Sequence, residues 1–410
     1  MKRQWLSRWG FLILLLLFSL LLAGCWDYHE LETLFIVMGV GLDQVADSDK
    51  EEGPDKEAGS EKGAGGEKMD VTLQIGKTQS PATGSSDTGT QKSSAILLKT
   101  AKDTTMESIM QLDQDSSRTM LLHHNQVMLL GRDLAKSGIE NRIDAFLRNQ
   151  QMRMEVLVMV ADRRAEDILA AELEEEEISS MYLYGMMQDL YNVSPHYKIR
   201  MLDFVSRLRD GTSSAVAPIV ELVEQEDKER LKLKGMAIFK KDKMVGSLSN
   251  QEMQGYIWTM GSVKQGALAA QTDLGRAVFR IVKLEAKRDI SLNPNGSIRG
   301  TISVYATLAL TELRGFSGMT PLELMPYLVT LSENEIKRQI RDAFKVAQGL
   351  DADIYRFGLD FHRRHPKVWK TIEEQWDRLF REMELDLQVK VKLPATGQIA
   401  KSLEMEEPKP

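Results

Sequence analysis

One cysteine stands in 410 residues, and that scarcity excludes a good deal. A single thiol forms no internal disulfide, and zinc sites built from cysteine pairs need several. Histidine is nearly as scarce, with 6 in the chain. Familiar catalytic signatures are missing too: no Gly-x-Ser-x-Gly elbow, no His-Glu-x-x-His helix, and no glycine loop ending in Gly-Lys-Ser/Thr. The pattern gives no sign of an enzyme, and no cofactor or metal is expected. Positive charge is also short, with 53 Lys and Arg against 60 Asp and Glu. An acidic chain is poorly suited to holding phosphate backbones by counterion release, so nucleic acid is not an expected partner.

What the chain does have begins at its N-terminus. Lys2, Arg3 and Arg8 precede an apolar stretch from Phe11 to Leu22, too short to span a bilayer comfortably, and small residues follow. That is the layout of a secretory signal. It closes on Leu22-Ala23-Gly24-Cys25, which resembles a bacterial lipobox. In such signals cleavage leaves the cysteine as the new N-terminus, carrying S-diacylglycerol and N-acyl chains. The expectation is that residues 1–24 are removed and that Cys25 is the membrane anchor. Two acyl chains suffice for stable attachment, since each buried CH₂ contributes about 0.8 kcal/mol. Cleavage also takes three cations away and moves the net charge from −7 to −10.

Beyond Cys25, strands and helices interleave. Leu34–Gln44 is near-continuously apolar and broken by glycines, as in a buried strand, and Met69–Lys77 alternates Val71, Leu73 and Ile75. Inserts near 49–68 and 79–94 carry no large apolar run and are expected to be disordered. Thr104 and Glu107 form a capping box, and strands at 125–131 and 155–161 alternate with helices at 139–149 and 164–177. An N-terminal α/β domain over 25–210 is the reading. A linker follows at 211–232. The C-terminal α+β region, 233–397, is left open as one domain or two, near 233–310 and 311–397. Its strands flank a turn at Lys241-Asp242 and lead to a helix capped by Ser249 and Glu252. Val278, Val282 and Leu284 alternate with charges before an Asn295-Gly296 turn. Ser332 and Glu335 then open a helix with Ile336, Ile340 and Phe344 on one face, ended by Gly349. Two further helices break at Pro366, and a last strand carries Leu385, Leu387, Val389 and Val391 on one face. Residues 398–410 form a flexible tail.

Candidate chemistry elsewhere is thin. The run Glu174–Glu177 reads as a solvated helix end rather than a cation site. His362 and His365 could share a helix face, but Arg363 and Arg364 between them would repel a metal. His123-His124 has no nucleophile nearby. Leu393-Pro394-Ala395-Thr396-Gly397 matches a sortase signal, yet no membrane span follows it. Trp258 and Trp369 fall in helical stretches and are core candidates.

Several stretches together resemble one family, the Ger(x)C lipoproteins, C subunits of nutrient germinant receptors in endospore-forming bacteria. They are "GCWDYHELETLFIVMGVGLDQ", "SSRTMLLHHNQVMLLGRDLAKSGI", "GMAIFKKDKMVGSLSNQEMQGYIWTMG", "DADIYRFGLDFHRRHPKVWK" with Trp376, and "VKVKLPATG". The resemblance runs from Cys25 to about Gly397. The acidic insert after Asp43 and the doubled His123-His124 depart from it at loops. It implies a multi-domain α+β fold with mixed and antiparallel sheets, each packed with helices. It further implies a non-enzymatic protein held by its lipid at the outer face of the spore inner membrane, working with A and B membrane subunits to trigger germination. The alternative, from another class, is a lipoprotein that captures solute for a transporter.

Overall fold

The computed structural model describes residues 33–45, 68–76, 95–293 and 297–394. The first half of the chain supplies strands β1 (Leu34–Gln44), β2 (Met69–Gly76), β3 (Ala95–Lys102), β4 (Thr119–Leu121), β5 (Val127–Leu130), β6 (Leu157–Ala161) and β7 (Ala215–Gln225). Between them lie helices α1 (Thr105–Gln114), α2 (Arg132–Ser137), α3 (Glu140–Arg148), α4 (Ala165–Ala170), α5 (Ser179–Val193) and α6 (Met201–Arg209). Strands β8 (Lys228–Lys240) and β9 (Lys243–Ser249) complete a sheet of order β3-β2-β1-β5-β6-β7-β8-β9, with β4 beside β1. Its centre, β1, β5, β6 and β7, is parallel, and an antiparallel pair extends each side.

The parallel centre explains the continuous apolar runs. Every residue of "VMLL" in β5 and "LVMVA" in β6 is buried, because helices cover both faces. On one face Leu169, Leu183 and Met187 of α4 and α5 pack against Leu129, Met159 and Val220. The other face belongs to a larger core that continues into the second half of the molecule.

That second half begins with helix α7 (Asn250–Met260), opened by a Ser249–Glu252 capping box. A four-stranded sheet follows, of order β10 (Ala267–Thr272), β11 (Gly275–Leu292), β12 (Ile298–Gly315) and β13 (Glu384–Lys392). Its connections hold α8 (Pro321–Gly349), α9 (Phe357–Arg364), α10 (Pro366–Ile372) and α11 (Trp376–Arg381). Helix α7 crosses α8 at Gly255, where a Cβ would lie 2.0 Å from the Gln339 carbonyl oxygen. Only glycine permits that approach. Trp258, fully buried, donates its indole N–H to Gln339 at 2.8 Å, and the Tyr256 ring meets Tyr355 at 5.8 Å. In the same core Phe204 of α6 meets Phe239 of β8 edge to face at 5.0 Å. Such pairs add roughly 0.5–1.5 kcal/mol beyond the area they bury.

Several elements differ from the sequence reading. Residues 211–232, expected as a linker, instead hold β7 and the start of β8. "AVAPIV" is a strand buried on both faces, and Pro218 sits one residue before pairing with β6 begins at Ile219. The first sheet therefore takes strands from both sides of the expected boundary. The helix expected over 164–177 stops at Ala170. The Glu172 N–H turns away to donate to Glu229 at 2.6 Å, and the like charges of Glu174–Glu177 gain nothing from a helix. The long helix α8 starts at Pro321, not at Ser332: Thr320 and Glu323 form its capping box, and Ser332 is buried mid-helix. In β11 the inward residues are Ala277, Phe279, Ile281 and Leu284, while Val282 is 46% exposed. The register shift after Ile281 leaves Val282 opposite no residue of β12 and moves the pattern by one residue, which exchanges faces. The lipobox, the two inserts, the Asn295-Gly296 turn, Ala395–Gly397 and the tail lie outside the described residues.

Candidate functional site

The histidines and acidic run weighed in the sequence have local uses. His362 stacks on Trp369 at 5.5 Å, and His365 packs on Phe361 at 5.1 Å. Arg364 pairs with Asp289, and Glu174 with Lys228 at 2.7 Å. His123 and His124 form a short 3₁₀ turn before β5. Trp369 is fully buried, as Trp258 is. Among the described residues no three His, Cys, Asp or Glu converge as metal ligands would.

Two clusters of charge remain, and they are built differently. The first gathers at the C-terminal end of β1. Asp43, only 2% exposed, accepts the backbone N–H groups of Ala165 and Glu166 at 2.8 and 3.0 Å and so caps α4 from a distant strand. Gly131 makes room for it, since a Cβ there would stand 2.0 Å from the Asp43 carboxylate. Arg164 pairs with Asp70 at 2.7 Å and Glu166 at 2.9 Å, and Lys99 reaches the same two carboxylates at 3.5 and 2.8 Å. Burial pushes the Asp43 carboxyl up, against the pull of its two amide donors and of Arg164. Glu166 feels burial as well, but Lys99 and Arg164 outweigh it and hold its carboxyl below the ordinary range.

The second cluster lines a cavity of about 460 Å³ where the segment between α5 and α6 meets the second half of the chain. Its wall includes Tyr191, His196, Lys198, Arg200, Arg207 and Arg356. Ser194 accepts the His196 N–H at 3.4 Å and opens the 3₁₀ turn that presents His196. Burial, then the charges of Arg207 and Arg288, lower the His196 imidazole to about 4, although it hydrogen-bonds the Met260 carbonyl. Arg207 donates to the Tyr256 hydroxyl at 3.3 Å, and Arg288 donates to the Thr259 carbonyl at 2.9 Å. Lys198 lies over the rings of Tyr184 and Tyr191, 5.4 Å from each.

Arg356 arrives from the far side through a specialised loop. Asp353, 3% exposed, accepts N–H groups from Tyr355 at 3.1 Å and Gly358 at 2.7 Å, and its own carbonyl takes the Ser214 N–H at 2.9 Å. Burial raises the Asp353 carboxyl to about 6 even so. The loop leads to Arg356 in the left-handed conformation, φ +66° and ψ +30°, at the start of α9. Burial, and then the neighbouring Arg207, lower the Arg356 guanidinium from its ordinary value.

The pairing of these charges is lopsided. Arg200 is held by Asp203 at 2.8 Å. Asp210, whose charge also reaches Arg356, is occupied by Thr212 and by the Ser213 hydroxyl at 2.9 Å. Among the described residues Lys198, Arg207, Arg288 and Arg356 form no salt bridge. The Nε atoms of Arg288 and Arg356 are buried without an acceptor. Sequence reasoning missed this group because His196, Arg207, Arg288 and Arg356 follow no spacing and meet only through tertiary packing.

Comparison with known proteins covers most of the chain. Residues 27–222 match a family described as the spore germination protein N-terminal domain, and residues 234–397 match "Spore germination B3/GerAC like, C-terminal". Similar proteins of Bacillus subtilis (strain 168) include the putative spore germination protein YfkR, 23% identical, with 95% of this chain and 97% of that protein aligned. Spore germination protein YndF is 24% identical over 95% and 96% of the two chains, and spore germination protein B3 is 22% identical over 93% and 96%. The crystal structure of the GerBC protein shares the fold, with a TM-score of 0.50 over 80% of this chain and 94% of that one, at 20% identity.

Proposed function

The chain belongs to the family of spore germination proteins with a GerAC-like C-terminal domain, and from that premise we propose that it is the lipid-anchored, non-enzymatic C subunit of a nutrient germinant receptor. The observation that carries this reading is the back-to-back match of both family domains over 27–222 and 234–397, with relatives aligned along nearly their full length. In this reading the A and B subunits are embedded in the spore inner membrane. Cys25, carrying its diacylglycerol, holds the C subunit at the outer face beside them. The lipid raises the local concentration of the subunit, and domain surfaces supply the choice of partner.

Chain length ties the anchor to the fold. Leu34 opens β1 nine residues after Cys25, and an extended chain covers at most about 3.3–3.6 Å per residue. The start of β1 would thus stand within roughly 30 Å of the membrane surface. Phe35 there packs under the Arg118 guanidinium at 5.3 Å. A Cys25→Ala chain, compared with the parent for fatty-acid labelling and membrane fractionation, tests the anchor. The expected result is no label and release from the membrane fraction with an unchanged unfolding midpoint. A variant that stays fully membrane-bound would count against it.

A further inference from the structure

Several half-buried cations elsewhere in the molecule are matched with carboxylates, among them Arg132 with Asp162, Arg164 with Asp70, and Lys240 with Asp377. The cavity between α5, α6 and the Arg356 loop instead gathers unmatched cations on one wall. Arg207 and Arg356 line it together although like charges repel, and each shares the wall with Lys198. Arg356 reaches the wall from a left-handed backbone, φ +66°, one of seven non-glycine residues with positive φ among the described residues. Asp203 shares the wall but is held by Arg200, and Asp210, whose charge is felt by both Arg207 and Arg356, is committed to the Thr212 and Ser213 donors.

We propose that this cavity binds a small molecule bearing an oxyanion, a carboxylate or a phosphate, gripped by the guanidinium groups of Arg207 and Arg356. A planar guanidinium presents paired N–H donors that match two oxygens of such a group. Lys198 adds a third cation, steadied on the faces of Tyr184 and Tyr191. The exposed Tyr191 ring offers an apolar wall to the remainder of the ligand. A volume of about 460 Å³ suits a metabolite-sized molecule rather than a bare ion. Because the cavity lies where elements of the two halves meet, its occupant would bridge them.

The test is isothermal titration calorimetry of the full chain in detergent against inorganic phosphate and against succinate, with ionic strength held constant by chloride. Saturable one-to-one binding of at least one anion is expected, and the tighter of the two names the ligand class. Arg356→Asn should weaken it at least tenfold, because asparagine tolerates the left-handed backbone but carries no charge. Lys198→Gln provides a second probe that leaves the loop intact, with a smaller loss expected. Arg338→Gln, on the exposed side of α8, should bind like the parent. No saturable binding of either anion, or equal binding by the parent and both cavity variants, would overturn the proposal. Neither result bears on the receptor reading, which rests on the family match and on Cys25.

Discussion

The two charge clusters use the same residue types to opposite ends. Around Asp43 the acids and bases close on one another: two cations meet Asp70 and Glu166, while Asp43 spends its oxygens on backbone amides. Around Arg356 the cations outnumber the free carboxylates, and two guanidinium nitrogens are buried without an acceptor. A closed cluster fastens elements together, here β1, β2, β3 and α4. An open one stores recognition at some cost to the fold. The difference is that a staple is insulted by any deletion, whereas an open site is relieved by losing a charge.

The largest expected break is at the closed cluster. Asp43→Ala would leave the Ala165 and Glu166 N–H groups buried without acceptors, each worth about 1–3 kcal/mol. A loss of about 3 kcal/mol is expected, read as a lower urea midpoint with an unchanged slope. The loop that carries Arg356 should show itself next, through pH. The Asp353 carboxyl is raised to about 6 in the fold from an ordinary 3.8, so the folded state holds its proton more tightly than the unfolded one. Its contribution is therefore most favourable below pH 4 and is lost as pH rises toward 6 and beyond. Two pH units correspond to about 3 kcal/mol at most. Stability of the parent relative to Asp353→Asn should thus decline between pH 4 and 7 in parallel urea titrations. His196, lowered to about 4, acts with the opposite sign: its contribution is present above pH 6.5 and is lost as pH falls through 4. His196→Gln should remove that acid-side loss.

The smallest effect sharpens the contrast most. Arg356→Asn removes a guanidinium without a salt bridge from a left-handed position and should change stability by no more than about 1 kcal/mol, toward the stable side. Arg164→Gln, from the closed cluster, should destabilise. Equal losses from the two substitutions, measured side by side, would erase the distinction between the clusters.

Much of the architecture was legible because it follows from local rules. The buried runs of β5 and β6, the Ser249–Glu252 box and the Ile336–Ile340–Phe344 stripe all carry their signal within a few residues. Failures occur where a distant partner decides. Thr320-Pro321 opens α8 far ahead of Ser332 because Leu324 and Leu328 find a core the local pattern does not show. The bulge at Val282 exchanges the faces of β11 only in the presence of β12. Asp43 illustrates both sides: the sequence marks it at the end of a glycine-broken strand, yet its task as a cap for α4 spans 122 residues. The cavity was illegible for the same reason. Its cations lie on two stretches far apart in the chain, Lys198 to Arg207 and the loop at Arg356, and they meet only once the chain is folded.

The central claim is best tested by germination itself. Spores lacking this protein would be exposed to a panel of single nutrients, with a receptor-independent trigger as the control. The account predicts loss of response to one or a few nutrients while the control trigger still works. Full response to every nutrient, in spores with no second receptor able to compensate, would contradict it.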